Sequence, residues 1–170
     1  MIKAPLIVSV VSALFLGFPV RSAEIVALPA GGGKLQPATD SKYRVGDAWE
    51  YTTRGGEEQS RLTIVKIDKS SKLGIIIHIA VDRLMWRTCQ GDPLPEQVPH
   101  MPFAREAIEH SVTRRVGSGR SLPNYEEGYE EWKNAFMNGH AGVYTISVKN
   151  AVSVAETTWR RGMGCGAKPE

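Results

Sequence analysis

The side chains that most often do chemistry are present in this chain, but their spacing matches no catalytic or metal-binding motif. The four histidines (His78, His100, His110 and His140) lack the HxxxH spacing that puts two metal ligands on one helix face. The sequence also contains no phosphate-binding loop, no G-x-G-x-x-G turn and no CxxC pair. We therefore expect no metal, no cofactor and no catalytic residue that a motif would reveal.

Four acids invite comparison with the paired carboxylates of glycoside hydrolases. They are Glu126, Glu127, Glu130 and Glu131. Aromatic residues recur beside them at the spacing i, i+4, i+7 and i+11, namely Tyr125, Tyr129, Trp132 and Phe136. That pattern is typical of an amphipathic helix, whose acids form the solvated face. A hydrolase is therefore the least favoured functional hypothesis.

The first 22 residues have the order of a secretory signal peptide. Lys3 precedes an almost wholly apolar run over residues 6–18, and Pro19 and Ser22 follow as the break and the cleavage position. The run is shorter than the roughly 20 apolar residues of a spanning helix. We expect residues 1–22 to be removed, no stable membrane insertion afterwards, and a periplasmic or secreted protein.

The charge of the remaining chain is nearly balanced. The whole chain has 21 Lys and Arg against 18 Asp and Glu, and Lys3 and Arg21 belong to the signal, which leaves 19 against 18. Nucleic-acid binding needs a concentrated basic surface, so we expect no such partner. Residues 23–42, which include a run of glycines, are predicted to be a disordered tether, and residues 43–166 a single domain.

Cys89 and Cys165 are the two cysteines of the chain. An even number in an oxidising compartment favours a disulfide over two free thiols. The bridge would tie the glycine-rich C-terminal residues to the body of the domain.

Residue patterns predict strands first and helices afterwards. Alternating polarity predicts strands at 47–54, 61–67 and 73–87, and the short polar turns between them favour an antiparallel meander. Helical spacing predicts helices at 103–116 and 124–138, followed by a short strand at 143–146. A last helix over 147–161 has Ser147 as its N-cap, although its β-branched residues also suit a strand. The order predicts an α+β fold.

The strand at 73–87 carries the candidate binding face. Its odd-numbered positions from 73 to 81 are all apolar and are expected to face the core. Its other face includes Ile76, His78, Leu84 and Trp86. If helices cover one side of the sheet only, these residues form an exposed apolar surface of the kind that binds ligands or proteins. The alternatives are helices on both sides, or Trp86 packed beneath the proline-rich loop that follows.

Two segments resemble small exported proteins of Gram-negative bacteria that have no assigned function. The sequence Y-R-V-G-D-A-W-E-Y at 43–51 is similar to their opening, in which G-D-x-W-x-Y starts a β-meander. The segment 132–152, with A-G-V-Y-T-I-S-V at 141–148, resembles a recurring tail in the same proteins. This resemblance implies a periplasmic address and a strand followed by a helix start within 143–148, but it implies no activity and no site residues.

The sequence therefore favours a non-enzymatic binding protein. The first hypothesis is an inhibitor or immunity-type partner of another envelope protein, because small disulfide-closed domains without catalytic motifs suit that role. The second is a carrier of a small apolar ligand on the sheet face around Trp86.

Overall fold

The computed structural model describes residues 34–94, 96–119 and 121–165. The predicted signal at 1–22 and the first part of the predicted tether, 23–33, lie outside the described residues. Within these ranges the elements are β1 (Leu35–Pro37), β2 (Ala48–Tyr51), β3 (Arg61–Ser70), β4 (Gly74–Asp82), β5 (Val98–Ala104), α1 (Arg105–Glu109), β6 (Val112–Gly117), α2 (Glu126–Met137) and α3 (Val148–Gly162).

The antiparallel pair of β3 and β4 forms the centre of the sheet. Both strands are rich in β-branched residues, which suit a pleated surface buried by neighbours. The strand order is β5-β4-β3-β2-β6, all neighbours are antiparallel, and β1 pairs with the end of β3. The predicted α+β class is confirmed, as is the antiparallel meander of β2, β3 and β4.

Helices cover both faces of this sheet. On one face, Ile77, Ile79 and Val81 of β4 pack in the main core with the buried side of α3. On the other face, Ile76 packs with Phe136 of α2 and with Val143 in the loop that follows. The second face of β4 is therefore covered and not exposed. This is the alternative in which helices lie on both sides of the sheet.

The sequence pattern predicted that the domain begins at residue 43, but in the structure it begins earlier. Strand β1 pairs Leu35 with Ser70 and Pro37 with Asp68. The carboxylate of Asp40 then accepts a 2.7 Å hydrogen bond from Nε of Arg105. Residues 34–42 are thus held by backbone pairing and an ion pair, which their polar composition did not indicate.

The predicted helix at 103–116 is wrong. Residues 98–104 form β5, only Arg105–Glu109 is helical, and Val112–Gly117 forms the edge strand β6. The spacing of buried residues resembles that of a helix here because Ala107 and Ile108 of the short helix and Ser111 of the next turn are all buried. In β6, Arg114 and Arg115 lie opposite β2, where they pair with Glu50 and Asp47.

The remaining elements follow the sequence more closely. Strand β4 ends at Asp82 rather than continuing to 87, because Arg83 adopts a left-handed backbone with φ of 53°. Helices α2 and α3 confirm the predictions for 124–138 and 147–161, and the Ser147 side chain caps α3 by accepting a hydrogen bond from the amide of Asn150. The short strand at 143–146 is reduced to one bridge between Tyr144 and Phe103.

Candidate functional site

The four residues of the predicted binding face do not share one surface. Ile76 and His78 lie under α2, whereas Leu84 and Trp86 belong to the main core on the opposite face. The left-handed turn at Arg83 changes the course of the chain, so the alternation along β4 does not extend to Trp86. All four side chains are buried, with Trp86 the most exposed at 8%.

A pocket of about 300 Å³ nevertheless opens beside Trp86. It lies between the segment leading into β5 and the outer side of α3. Its walls are formed by Trp86, Gln97, Val98, Pro99, Ala155 and Trp159. Among these residues, only Gln97 has a polar side chain other than an indole. We call this site the Trp86–Trp159 pocket, after the two indoles in its walls.

Two carboxylates hold the backbone on either side of Trp86. The amide of Met85 donates to Oε1 of Glu57 at 2.8 Å, and the amide of Arg87 donates to Oε1 of Glu156 at 3.4 Å. Arg54 joins the two acids, since its guanidinium donates to Glu57 and to Glu156. This network fixes the backbone on either side of Trp86 and links its loop to α3.

The buried acid of this network is ionised. Burial alone would raise the pKa of Glu57, but the Arg54 guanidinium and the Met85 amide outweigh that effect and hold the pKa below its usual range. Contact with Glu57 likewise raises the pKa of Arg54. Because both charges are compensated inside the fold, the geometry around Trp86 is set before any ligand arrives.

The predicted Cys89–Cys165 disulfide is present, with its Cα atoms 5.4 Å apart. Cys89 follows Trp86 in the same loop, and Cys165 follows the end of α3, the helix that carries Trp159. The bridge therefore ties together the two segments that carry the tryptophan walls of the pocket. The sequence predicted the bond, but not that it would lie beside a pocket.

The rim of the pocket is apolar and accessible. Trp159 is 42% exposed, and Met163, which follows the last residue of α3, is also 42% exposed. Exposed large apolar side chains next to a concave apolar surface are typical of binding sites. Among the described residues, this lining is apolar apart from Gln97, so its surface suits an apolar group.

A second group of polar and aromatic side chains lies on the opposite face, beneath α2. The carboxylate of Asp68 accepts a 2.8 Å hydrogen bond from the Tyr129 hydroxyl, and its Oδ2 lies 3.3 Å from Nε2 of His78. Nδ1 of His78 is 2.9 Å from Nε2 of His100. Trp132 closes the group, with its ring centroid 4.8 Å from that of His78. We call these five side chains the buried polar cluster.

Burial dominates the electrostatics of this cluster. It lowers the pKa of His78, although the neighbouring Asp68 opposes the shift, and it lowers the pKa of His100 to about 3. Burial would raise the pKa of Asp68, but contacts with His78 and the Tyr129 hydroxyl keep it below the usual range. At neutral pH the cluster therefore contains a carboxylate and two neutral imidazoles. Nε2 of His78 has no hydrogen bond of ordinary geometry within the described residues.

Sequence spacing did not reveal this cluster, because a bulge changes which side chains share a face. Residues opposite each other in antiparallel strands lie on the same face. The pairing of β3 with β4 shifts between Ile64 and Lys66, and after this shift Lys66 faces His78. Asp68 consequently joins the side that His78 occupies, whereas strict alternation from Ile64 would have placed it in the apolar core.

Replacing Tyr129 with phenylalanine is expected to destabilise the protein by about 1–3 kcal/mol, because Asp68 would lose its best hydrogen bond while staying buried. Urea unfolding would measure this difference at neutral pH. Tyr125→Phe is the matched control, since the Tyr125 side chain sits one turn earlier and makes no side-chain hydrogen bond within the described residues. Equal stability of the two variants would contradict the assignment of the Asp68 contact.

The chain matches no family model, and searches of curated proteins and of solved structures return no similar protein. In the part of the chain that the structure describes, no helix has the length and apolar character to cross a membrane. The same residues contain no group of three or more potential ligand side chains arranged to hold a metal ion. Any functional assignment therefore rests on the geometry of the pocket and the cluster.

Proposed function

We propose that this protein is a non-enzymatic binding protein that holds a small apolar ligand in the Trp86–Trp159 pocket. The observation that supports this most strongly is the pocket itself, an apolar concavity whose walls are fixed by the Arg54 network and by the disulfide. A preformed site binds more tightly because less conformational freedom is lost on association.

The lining indicates the chemistry of the ligand. Two indoles and a proline ring offer flat apolar surfaces, which favour an aromatic or alicyclic group. The side-chain amide of Gln97 can both donate and accept a hydrogen bond at the edge of the site. A volume of about 300 Å³ lies at the lower end of the range for small-molecule sites, so the ligand is a compact one.

The disulfide is compatible with an extracytoplasmic protein, because such bonds persist in oxidising compartments. We propose a periplasmic or secreted location on this ground together with the signal-like N-terminal sequence. A carrier there would meet apolar compounds that enter or leave the cell.

A second candidate is a protein partner whose apolar side chain enters the same pocket. The exposed Trp159 of the pocket wall and the exposed Met163 just after α3 favour it, since methionines and tryptophans are common at protein interfaces. An envelope inhibitor or immunity-type protein would use the site in this way. Recovery of one stoichiometric protein from envelope extract by the oxidised protein would favour this candidate over the carrier.

Tryptophan side-chain resonances test the pocket directly, because the chain has four tryptophans and two of them line it. We expect a titration with indole, followed by ¹⁵N NMR, to shift the indole N–H signals of Trp86 and Trp159 in a saturable way. Trp49 and Trp132 lie outside the pocket and should not respond. Trp159→Ala should weaken indole binding by about fivefold or more, because stacking of aromatic rings contributes about 1 kcal/mol.

Met137→Ala is the matched control, since Met137 is an exposed apolar residue on α2 and lies outside the pocket lining. It should leave indole binding unchanged. Shifts of Trp49 or Trp132 in place of the pocket tryptophans, or no saturable response, would contradict the proposed site.

The double variant Cys89→Ser, Cys165→Ser is expected to lose both stability and affinity. Removing a bridge between residues 76 apart costs up to about 4–5 kcal/mol in the chain-entropy model. Indole affinity should also fall, because the end of α3 is no longer tied to the Trp86 loop. A thiol reductant should reproduce the effect in the wild type and change nothing in the double variant. Equal indole affinity of the oxidised and reduced forms would show that the bridge does not hold the pocket walls.

A further inference from the structure

The two histidines of the buried polar cluster take no part in the Trp86–Trp159 pocket. His78 is fully buried, His100 is partly buried, and their rings are stacked with centroids 5.1 Å apart. Two neutral imidazoles in a low-dielectric interior are a latent site for protons. The buried polar cluster can therefore respond to pH independently of the pocket.

The contacts of the pair limit how many protons it accepts while α2 stays in place. We assign the His78 proton to Nε2, which faces Asp68, and the His100 proton to Nε2, which donates to Nδ1 of His78. A first added proton goes to Nδ1 of His100 and leaves this chain of contacts intact. A second added proton must go to Nδ1 of His78, which already accepts the hydrogen bond from Nε2 of His100. That hydrogen bond then breaks, and two imidazolium cations face each other.

The surrounding charges do not relieve this repulsion. Asp68 is the one carboxylate of the cluster, and Nζ of Lys66 already lies 4.0 Å from its Oδ1. From α2, Tyr129 contributes a neutral hydroxyl, and the Lys133 ammonium, 5.5 Å from the Tyr129 ring centroid, is paired with Glu130 at 3.1 Å. Asp68 thus already faces the Lys66 ammonium before any histidine is protonated.

We propose that the His78–His100 pair is a proton sensor whose protonation releases α2 from the sheet, while the opposite face stays packed against α3. The added protons are bound by the released state, in which both rings meet water. This inference does not rest on the ligand pocket, so either one can fail without the other.

The sign of the pH dependence follows from the direction of the shifts. Both histidines have pKa values below the usual 6.5 when α2 is docked, and His100 is lowered to about 3. The stability that docking gains from neutral histidines is therefore complete above pH 6.5 and is lost as the pH falls from 6.5 towards 3. For His100, the ratio of released to docked protein rises about tenfold per pH unit in this window, and the lowered pKa of His78 adds to the rise in the same direction.

Helix α2 is the element that yields, because it covers the histidine pair, whereas α3 packs on the opposite face of the sheet. Tyr129 and Phe136 are its buried side chains, and Phe136 packs in a minor cluster with Ile76 and Val143. Helix α3 buries three residues in the main core and is followed by the disulfide. Regions with fewer buried apolar contacts open at lower free energy than the rest of a fold.

Hydrogen exchange followed by mass spectrometry tests the proposal in the oxidised protein. Between pH 6.5 and 4.5, with rates corrected for intrinsic exchange, the opening constant of the α2 amides should rise by at least about 100-fold. The α3 amides should change far less. His100→Gln keeps a donor to His78 but cannot titrate, so the rise for α2 should be about 100-fold smaller than in the wild type.

His110→Gln is the control, because His110 is exposed and lies on the turn after α1. It should behave as the wild type. Unchanged α2 exchange over this range, an equal rise in His100→Gln, or an equal loss of α3 protection would overturn the proposal. If His100→Gln does not fold, NMR titration of the wild-type imidazoles decides: midpoints near 6.5 with α2 still protected would also overturn it.

Discussion

The fold depends on the burial of β4 on both of its faces. One face carries Ile77, Ile79 and Val81, and the other carries Ile76, His78 and Ala80, all with 3% exposure or less. A strand buried in this way needs cover on each side, since apolar area removed from water is the main source of stability. The main core and α3 supply one cover and α2 supplies the other. The distribution of polar groups follows from that arrangement.

The two covers differ in how they are held, and this difference separates the two candidate functions. On the α3 side, an ion-pair network and a covalent bridge fix the walls of an open apolar pocket. On the α2 side, attachment depends on neutral imidazoles, a buried carboxylate and a few apolar contacts. Strand β5 reaches both, since Val98 and Pro99 line the pocket while His100 belongs to the cluster. One sheet thus carries a rigid site and a pH-dependent contact.

Sequence reasoning recovered the features that depend on local pattern. The recurring aromatic residues predicted α2, Ser147 marked the start of α3, and the two cysteines predicted the bridge. It failed where tertiary contacts override local preference, since 103–116 splits between two strands and a single helical turn. It also could not place Asp68 beside His78, because the bulge between Ile64 and Lys66 leaves no mark in the residue pattern. The pocket could not be predicted either, because the sequence does not show that α3 packs beside Trp86.

The account is tested most directly by asking which aromatic rings surround His78. Nuclear Overhauser contacts from the His78 ring protons should connect to Trp132 and Tyr129, whose centroids lie 4.8 and 5.2 Å away. They should not connect to Trp86, which belongs to the opposite face. Contacts between His78 and Trp86, or their absence to Trp132, would mean that α2 does not cover this face of β4. The separation of pocket and cluster would then be wrong.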